Sequence, residues 1–184
     1  MFALRLALLG GLSAAAFSSP ALAENFWTFK DWNVSIEEAP SEEDNYLNCR
    51  IFTGGDGMPT LSVNFFTGDA GPPLSFPDVA IEERAIRGYP TLMQDGGPVN
   101  FVFDDGDGVS GMAEAGFDED GFAYAIGRVN YDQNLFALQG MRRAGELYIS
   151  TSGGQLLTAS LNGFSAAYLK MADVCGFSTE GVIE

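Results

Sequence analysis

The strongest constraint on the fold is a succession of short segments in which apolar and polar residues alternate. Segments 60–66 and 146–150 place an apolar side chain at every second position, which is typical of a strand with one buried face. Turns rich in glycine and aspartate separate such segments, as at 54–57 (Gly-Gly-Asp-Gly) and 153–154 (Gly-Gly). Short strands joined by tight turns predict an antiparallel β fold.

The pattern recurs between residues 26 and 161, and we predict a mainly β fold, an antiparallel β-sandwich or barrel with one C-terminal α-helix packed on it. Segment 79–86 is compatible with either a strand or a helical turn. The predicted strands are 26–36, 46–53, 60–66, 91–93, 100–103, 112–117, 122–129, 135–141, 146–150 and 155–161.

The C-terminal helix is predicted over residues 163–175. Phe164, Tyr168, Met171 and Cys175 follow one another at intervals of four, three and four, so they share one helical face. Gly176 is a suitable helix terminator. We interpret this apolar face as core packing rather than a ligand site.

The first 23 residues have the pattern of a secretory signal peptide. Arg5 precedes an apolar stretch, Pro20 interrupts it, and Ala21-Leu22-Ala23 supplies the small residues that a signal peptidase prefers. We therefore expect cleavage after Ala23, with 1–23 as the signal peptide and 24–184 as a single β-rich domain. No later stretch is apolar enough to span a bilayer, so no transmembrane segment is expected in the mature chain, which we place in the periplasm or outside the cell.

Cys49 and Cys175 are the two cysteines of the chain. In an oxidising compartment such a pair is expected to form a disulfide. A zinc site is a poor alternative because the chain contains no histidine.

The formal net charge is −16 and becomes −17 once Arg5 is removed with the signal peptide. Such a charge repels phosphate backbones, so nucleic acid is not expected as a partner. Cationic partners are favoured, although the charge is also explained by a solvated surface alone.

Motifs for catalysis are missing from the sequence. The absence of histidine excludes Ser-His-Asp and Cys-His sites, and no phosphate-binding or dinucleotide-binding glycine motif is present, so no cofactor is expected. Carboxylates are abundant, and two of them facing each other across a cleft would suit a carboxylate-dependent periplasmic hydrolase. A hydrolase of this kind is therefore one alternative for the function of the chain.

A calcium-binding β domain is a second alternative. Asp104, Asp105 and Asp107 lie on one glycine-rich turn, and calcium prefers clustered oxygen ligands on a flexible loop. The spacing does not fit an EF-hand, and a polar turn between two strands accounts for the same residues.

Arg142 and Arg143 form the only pair of adjacent basic residues in this acidic chain. The predicted strands around them place the pair in a turn. They either form ion pairs with neighbouring acids or mark a contact site for a partner.

The two ends of the mature chain resemble the invasion-associated locus B family of exported bacterial proteins. Residues 160–168 (SLNGFSAAY) are similar to that family's closing strand and helix start, and residues 32–34 (WNV) to its opening strand. Ile36 stands where family members commonly carry a cysteine. The resemblance implies a compact β-rich fold, export to the envelope, no known catalytic residues, and interaction with a protein or other envelope partner. Function is therefore expected to be non-catalytic binding of a macromolecule.

Overall fold

The computed structural model describes residues 25–40 and 45–183, and the expected signal peptide lies outside this part of the chain. Within it, ten β-strands and two α-helices follow one another, with a short 3-10 turn at Tyr131–Gln133 before the first helix. The elements are β1 (Phe26–Phe29), β2 (Trp32–Pro40), β3 (Asn45–Gly54), β4 (Thr60–Phe66), β5 (Asp78–Arg84), β6 (Pro98–Phe103), β7 (Gly108–Phe117), β8 (Ala123–Val129), α1 (Asn134–Arg143), β9 (Glu146–Thr151), β10 (Gly154–Ser160) and α2 (Phe164–Cys175).

All ten described strands belong to one antiparallel sheet in the order β1-β2-β3-β4-β5-β8-β7-β6-β9-β10. Most neighbours are joined by hairpins, which suits the short glycine-rich turns of the sequence. The helix α2 packs against β1, β2 and β3. The predicted mainly β, antiparallel fold with a C-terminal helix packed on the sheet is confirmed.

The two ends of the sheet come together, so the sheet is strongly curved. The indole N–H of Trp32 donates to the carbonyl of Ser160, 3.0 Å away, which links β2 to β10. In the turn between β1 and β2, the N–H of Asp31 donates to the carbonyl of Asn162 over 3.3 Å. A sheet curved in this way encloses the apolar side chains of its inner face.

The core is built from the alternation seen in the sequence. In β6, for example, Val99, Phe101 and Phe103 are buried while the residues between them are exposed. In β8, a Cβ on Gly127 would lie 2.8 Å from the Val99 side chain and 3.0 Å from the sulfur of Met93. Glycine at this position therefore lets the neighbouring core side chains approach the strand closely.

Cys49 in β3 and Cys175 at the end of α2 form the predicted disulfide. Their Cα atoms are 6.5 Å apart and 126 positions separate them in the sequence. The bond attaches the helix to the third strand of the sheet order, and the disulfide prediction is confirmed. None of the helices in the described part of the chain has both the length and the apolar character needed to cross a membrane.

The strand predicted at 135–141 is wrong, because these residues form most of α1. The buried residues Asn134, Ala137, Leu138 and Met141 are spaced i, i+3, i+4 and i+7, which is the helical period. The segment was short enough for its apolar residues to suit either structure, and the tertiary packing selects the helix.

Three other predicted boundaries change. Segment 26–36 is two strands rather than one, because Lys30 adopts a left-handed φ of 54° in the turn between β1 and β2. The open assignment of 79–86 is decided in favour of the strand β5. Segment 91–93 is not a strand, and the backbone N–H groups of Leu92 and Met93 donate to the carboxylate of Glu83 instead of to a neighbouring strand.

Candidate binding groove

The outward face of β2, β3, β4 and β5 carries a continuous depression that we call the polar groove. Its central part has a volume of about 240 Å³, and two adjoining depressions measure about 280 and 320 Å³. Asn64 and Asp78 line all three, which makes them one groove. The residues that define the polar groove are Ser35, Glu37, Arg50, Asn64, Asp69 and Asp78.

Four of these residues form a straight row across the sheet. The register places Ser35 opposite Arg50, Arg50 opposite Asn64, and Asn64 opposite Asp78. Residues directly opposite each other in antiparallel strands share one face of the sheet, so the four side chains project to the same side. The row crosses three strand spacings, a distance of about 14 Å.

Arg50 occupies the middle of the groove. Its Nη2 lies 3.7 Å from Oε2 of Glu82, and the guanidinium stands over the ring of Phe52 at 5.3 Å from the centroid. Its Nε–H is shielded from water and has no acceptor among the described residues. The side chain as a whole is 37% exposed. The groove therefore contains a cation whose hydrogen bonding is incomplete.

Asp78 is held in place from the first residue of α1. The side-chain amide of Asn134 donates to Oδ1 of Asp78 over 2.8 Å, and its oxygen accepts from the N–H of Val79 over 3.3 Å. Asn134 is 1% exposed, so these bonds satisfy a buried polar group. Asn134 was not predicted from the sequence. The feature that could have indicated a buried polar residue is its helical spacing from the apolar residues Ala137, Leu138 and Met141.

Aromatic side chains border the groove. Phe66 lines its central part and packs against Tyr46, with ring centroids 5.0 Å apart. Tyr131 lines an adjoining depression, is mostly exposed, and donates its hydroxyl hydrogen to Ser75 over 3.2 Å. Exposed aromatic rings beside a polar floor provide both apolar contact and hydrogen bonds for a bound chain.

The calcium candidates are placed around an arginine. Asp105 and Asp107 each accept a 2.7 Å hydrogen bond from Arg143, and Asp104 accepts from the backbone N–H groups of Gly145 and Glu146. The bond from Arg143 holds the pKa of the Asp105 carboxyl below its usual value. In residues 25–40 and 45–183, no group of three or more acidic or sulfur ligands is arranged to hold a metal ion. Asp105 and Asp107 instead form ion pairs with Arg143.

The predicted position of Arg142 and Arg143 in a turn between strands is wrong, because both lie in the last turn of α1. There, cations favourably oppose the negative end of the helix dipole. Arg143 pairs with neighbouring acids, which is one of the two alternatives, and Arg142 donates to the carbonyl of Val182 over 3.1 Å. With Gln139 and Gly181 they line a depression of about 440 Å³.

A larger cleft of about 670 Å³ lies where the two ends of the sheet meet. Phe29 and Leu161 contribute apolar walls, and the ammonium group of Lys30 donates to the side-chain oxygen of Asn162 over 2.9 Å. The cation of this cleft is thus already part of the contact that brings the ends of the sheet together.

No protein-family model matches the chain, and neither a curated protein nor a solved structure matches it. The resemblance to the invasion-associated locus B family therefore stays a prediction from residues 32–34 and 160–168.

Proposed function

We propose that this protein is an exported, non-catalytic binding module, periplasmic or secreted, that contacts a macromolecular partner through the polar groove. The observation that carries this proposal is the row of Ser35, Arg50, Asn64 and Asp78 across four adjacent strands. A row of this kind offers donors and acceptors at regular intervals to a chain lying across the sheet. The resemblance to the invasion-associated locus B family agrees with this role.

The shape of the groove favours binding of an extended partner over catalysis on a small substrate. Each of the three depressions is near or below the lower limit of about 300 Å³ for small-molecule sites. They adjoin one another along the sheet instead of forming one deep pocket. The alternative of a carboxylate-dependent hydrolase would instead require a cleft with two carboxylates facing each other across it.

Export is supported by one structural feature, the disulfide between Cys49 and Cys175. Disulfides form and persist in oxidising compartments such as the bacterial periplasm and the extracellular space, and they are rare in the cytoplasm.

Export is tested by expressing the full chain in a bacterium that has a periplasm and measuring the intact mass of the product. The expected polypeptide begins at Glu24 and has both thiols protected from alkylation until it is reduced. A cytoplasmic product that retains Met1 and carries two free thiols would contradict the proposal.

Binding through the groove is tested by photo-crosslinking in the host envelope. Asn48 is exposed at the groove, whereas Thr158 is exposed on β10 and lines none of the three depressions, so a photoreactive phenylalanine analogue at each position gives a matched pair. The proposal expects a discrete adduct from position 48 and none from position 158. Equal labelling at both positions, or none at either, would refute it.

A further inference from the structure

We infer that the polar groove takes an extended peptide segment that contains lysine or arginine. This inference rests on the proposed function, and it identifies the partner chemistry that the groove fits.

The first argument is charge. Glu37, Asp69 and Asp78 are exposed in the central part of the groove, and no ion pair reaches them from the described residues. The cation lining the same depression, Arg50, is already close to Glu82. The groove therefore has an excess of negative charge, on a chain whose formal charge is −16. Cationic side chains are complementary to it.

The second argument is the incomplete hydrogen bonding of Arg50. Its Nε–H lacks an acceptor in the described part of the chain although it is shielded from water. A peptide backbone supplies carbonyl acceptors between its side chains, whereas a polyamine supplies donors only. The Arg50 side chain as a whole is 37% exposed and lines the groove, so an occupant contacts it directly. Acids and an unsatisfied donor side by side fit a basic peptide better than a simple cation.

The third argument is length. The row from Ser35 to Asp78 extends over about 14 Å, which corresponds to about four residues of extended chain. The rings of Phe66 and Tyr131 at the borders would contact the aliphatic parts of lysine or arginine side chains. The groove thus accommodates a short segment without requiring it to fold.

The experiment measures fluorescence anisotropy of a labelled peptide of about eight residues in which lysine and serine alternate. The protein is the exported chain with its disulfide intact. Spermine as a competitor tests simple charge attraction, and a peptide with glutamate in place of lysine tests the sign of the charge. Each titration is made at about 0.05 M and about 0.5 M salt, because salt screens exposed charges.

Asp69→Asn combined with Asp78→Asn is expected to weaken peptide binding about tenfold at low salt. Asparagine preserves the shape and the acceptor that Asn134 uses, so the fold is expected to persist, as judged by the thermal midpoint. Glu119→Gln removes an exposed acid outside the groove and is expected to leave affinity unchanged. Arg50→Lys keeps the charge but removes the Nε–H, and is expected to weaken binding at both salt concentrations.

The inference is overturned if spermine binds as tightly as the lysine peptide, or if the lysine peptide binds no more tightly than the glutamate peptide. It is also overturned if Glu119→Gln weakens binding as much as the double variant. These probes of the native protein decide the matter even if a variant misfolds. If position 48 crosslinks to a partner but the lysine peptide does not bind, the inference is rejected and the proposed function stands. If neither crosslinking nor peptide binding is observed, the inference and the proposed function are both rejected.

Discussion

The indole N–H of Trp32 in β2 donates a 3.0 Å hydrogen bond to the backbone carbonyl of Ser160 in β10. These residues belong to strands near opposite ends of the sheet order, so the bond joins the two ends of the sheet. Trp32 is fully buried, and its ring meets the ring of Phe164 edge-on at 5.3 Å between centroids. One side chain therefore connects the first part of the sheet, its last strand and the helix α2.

Replacing Trp32 by phenylalanine is expected to destabilise the protein by about 2–3 kcal/mol, because it leaves a cavity and an unpaired carbonyl at Ser160. The free energy of unfolding in urea measures this change. The matched control is Trp27→Phe, where the half-buried ring stacks under the ammonium group of Lys170 at 4.6 Å. That change is expected to cost less than about 1 kcal/mol. Equal losses in the two variants would argue against the role given to Trp32.

Breaking the Cys49–Cys175 bond is expected to reduce the free energy of unfolding by up to about 4–5 kcal/mol. The bond closes a loop whose ends are separated by 126 positions, and a longer loop restricts the unfolded chain more. Urea unfolding of the oxidised protein is compared with that of a Cys49→Ala, Cys175→Ala variant. Reductant should lower the free energy of unfolding of the native protein and leave that of the double variant unchanged. A difference close to zero between the oxidised native protein and the double variant would show that the bond does not restrain the unfolded state.

The pairing of Arg143 with Asp105 predicts a dependence of stability on pH. The hydrogen bond from Arg143, with help from the N–H of Asp107, lowers the pKa of Asp105 below its usual value of 3.8. A group whose pKa is lower in the folded state stabilises the protein above its unfolded pKa, and this contribution disappears as the pH falls through the folded pKa. Arg143→Gln should therefore be less stable than the native protein at pH 6, and the difference should shrink below about pH 4.

Thermal midpoints from about pH 2 to pH 7 measure this effect. The control is Arg87→Gln, since the guanidinium of Arg87 stacks on Phe122 and bonds the backbone carbonyl of Asp120, neither of which titrates. The difference caused by the control variant should not vary with pH. A difference in thermal midpoint between Arg143→Gln and the native protein that stays constant with pH would contradict the ion pair between Arg143 and Asp105.

Tyr168→Phe is expected to leave stability unchanged or raise it by about 1–2 kcal/mol. Tyr168 is fully buried in α2, and its hydroxyl has no hydrogen-bond partner among the described residues. Burial also raises the pKa of this hydroxyl well above its usual value. Removing an unsatisfied buried polar group is favourable.

Urea unfolding of Tyr168→Phe is compared with that of Tyr148→Phe, which loses a 2.7 Å hydrogen bond from an exposed hydroxyl to Glu146. The control should be neutral or slightly destabilised. A large loss of stability in Tyr168→Phe would show that the hydroxyl has a partner in solution.

The polar groove was not predictable from the sequence, and its residues show why. Ser35, Arg50, Asn64 and Asp78 lie in four different strands, at intervals of 15, 14 and 14 positions, and no sequence motif marks them as a site. They become neighbours only through the register of three strand pairs. The two site predictions made from local runs, the aspartates around Asp105 and the basic residue Arg143, turned out to be partners of each other across 38 positions.

What the sequence alone determined is the part of the structure encoded by local periodicity. Alternating residues specified most strands, the spacing from Phe164 to Cys175 specified α2, and a single pair of cysteines left one possible disulfide. Period-two and period-3.6 patterns record which side of each segment is buried, and that information is local.

Only the tertiary structure decided the identity of α1, the closure of the sheet by Trp32, and the floor of the polar groove. A short apolar segment such as 135–141 suits a strand or a helix equally well until its packing partners are present. The groove depends on which strands pair and in which register, and many distant contacts fix that choice together. The alternation of apolar and polar residues determines which side of each strand faces water. The arrangement of all the strands then decides which polar side chains share that side.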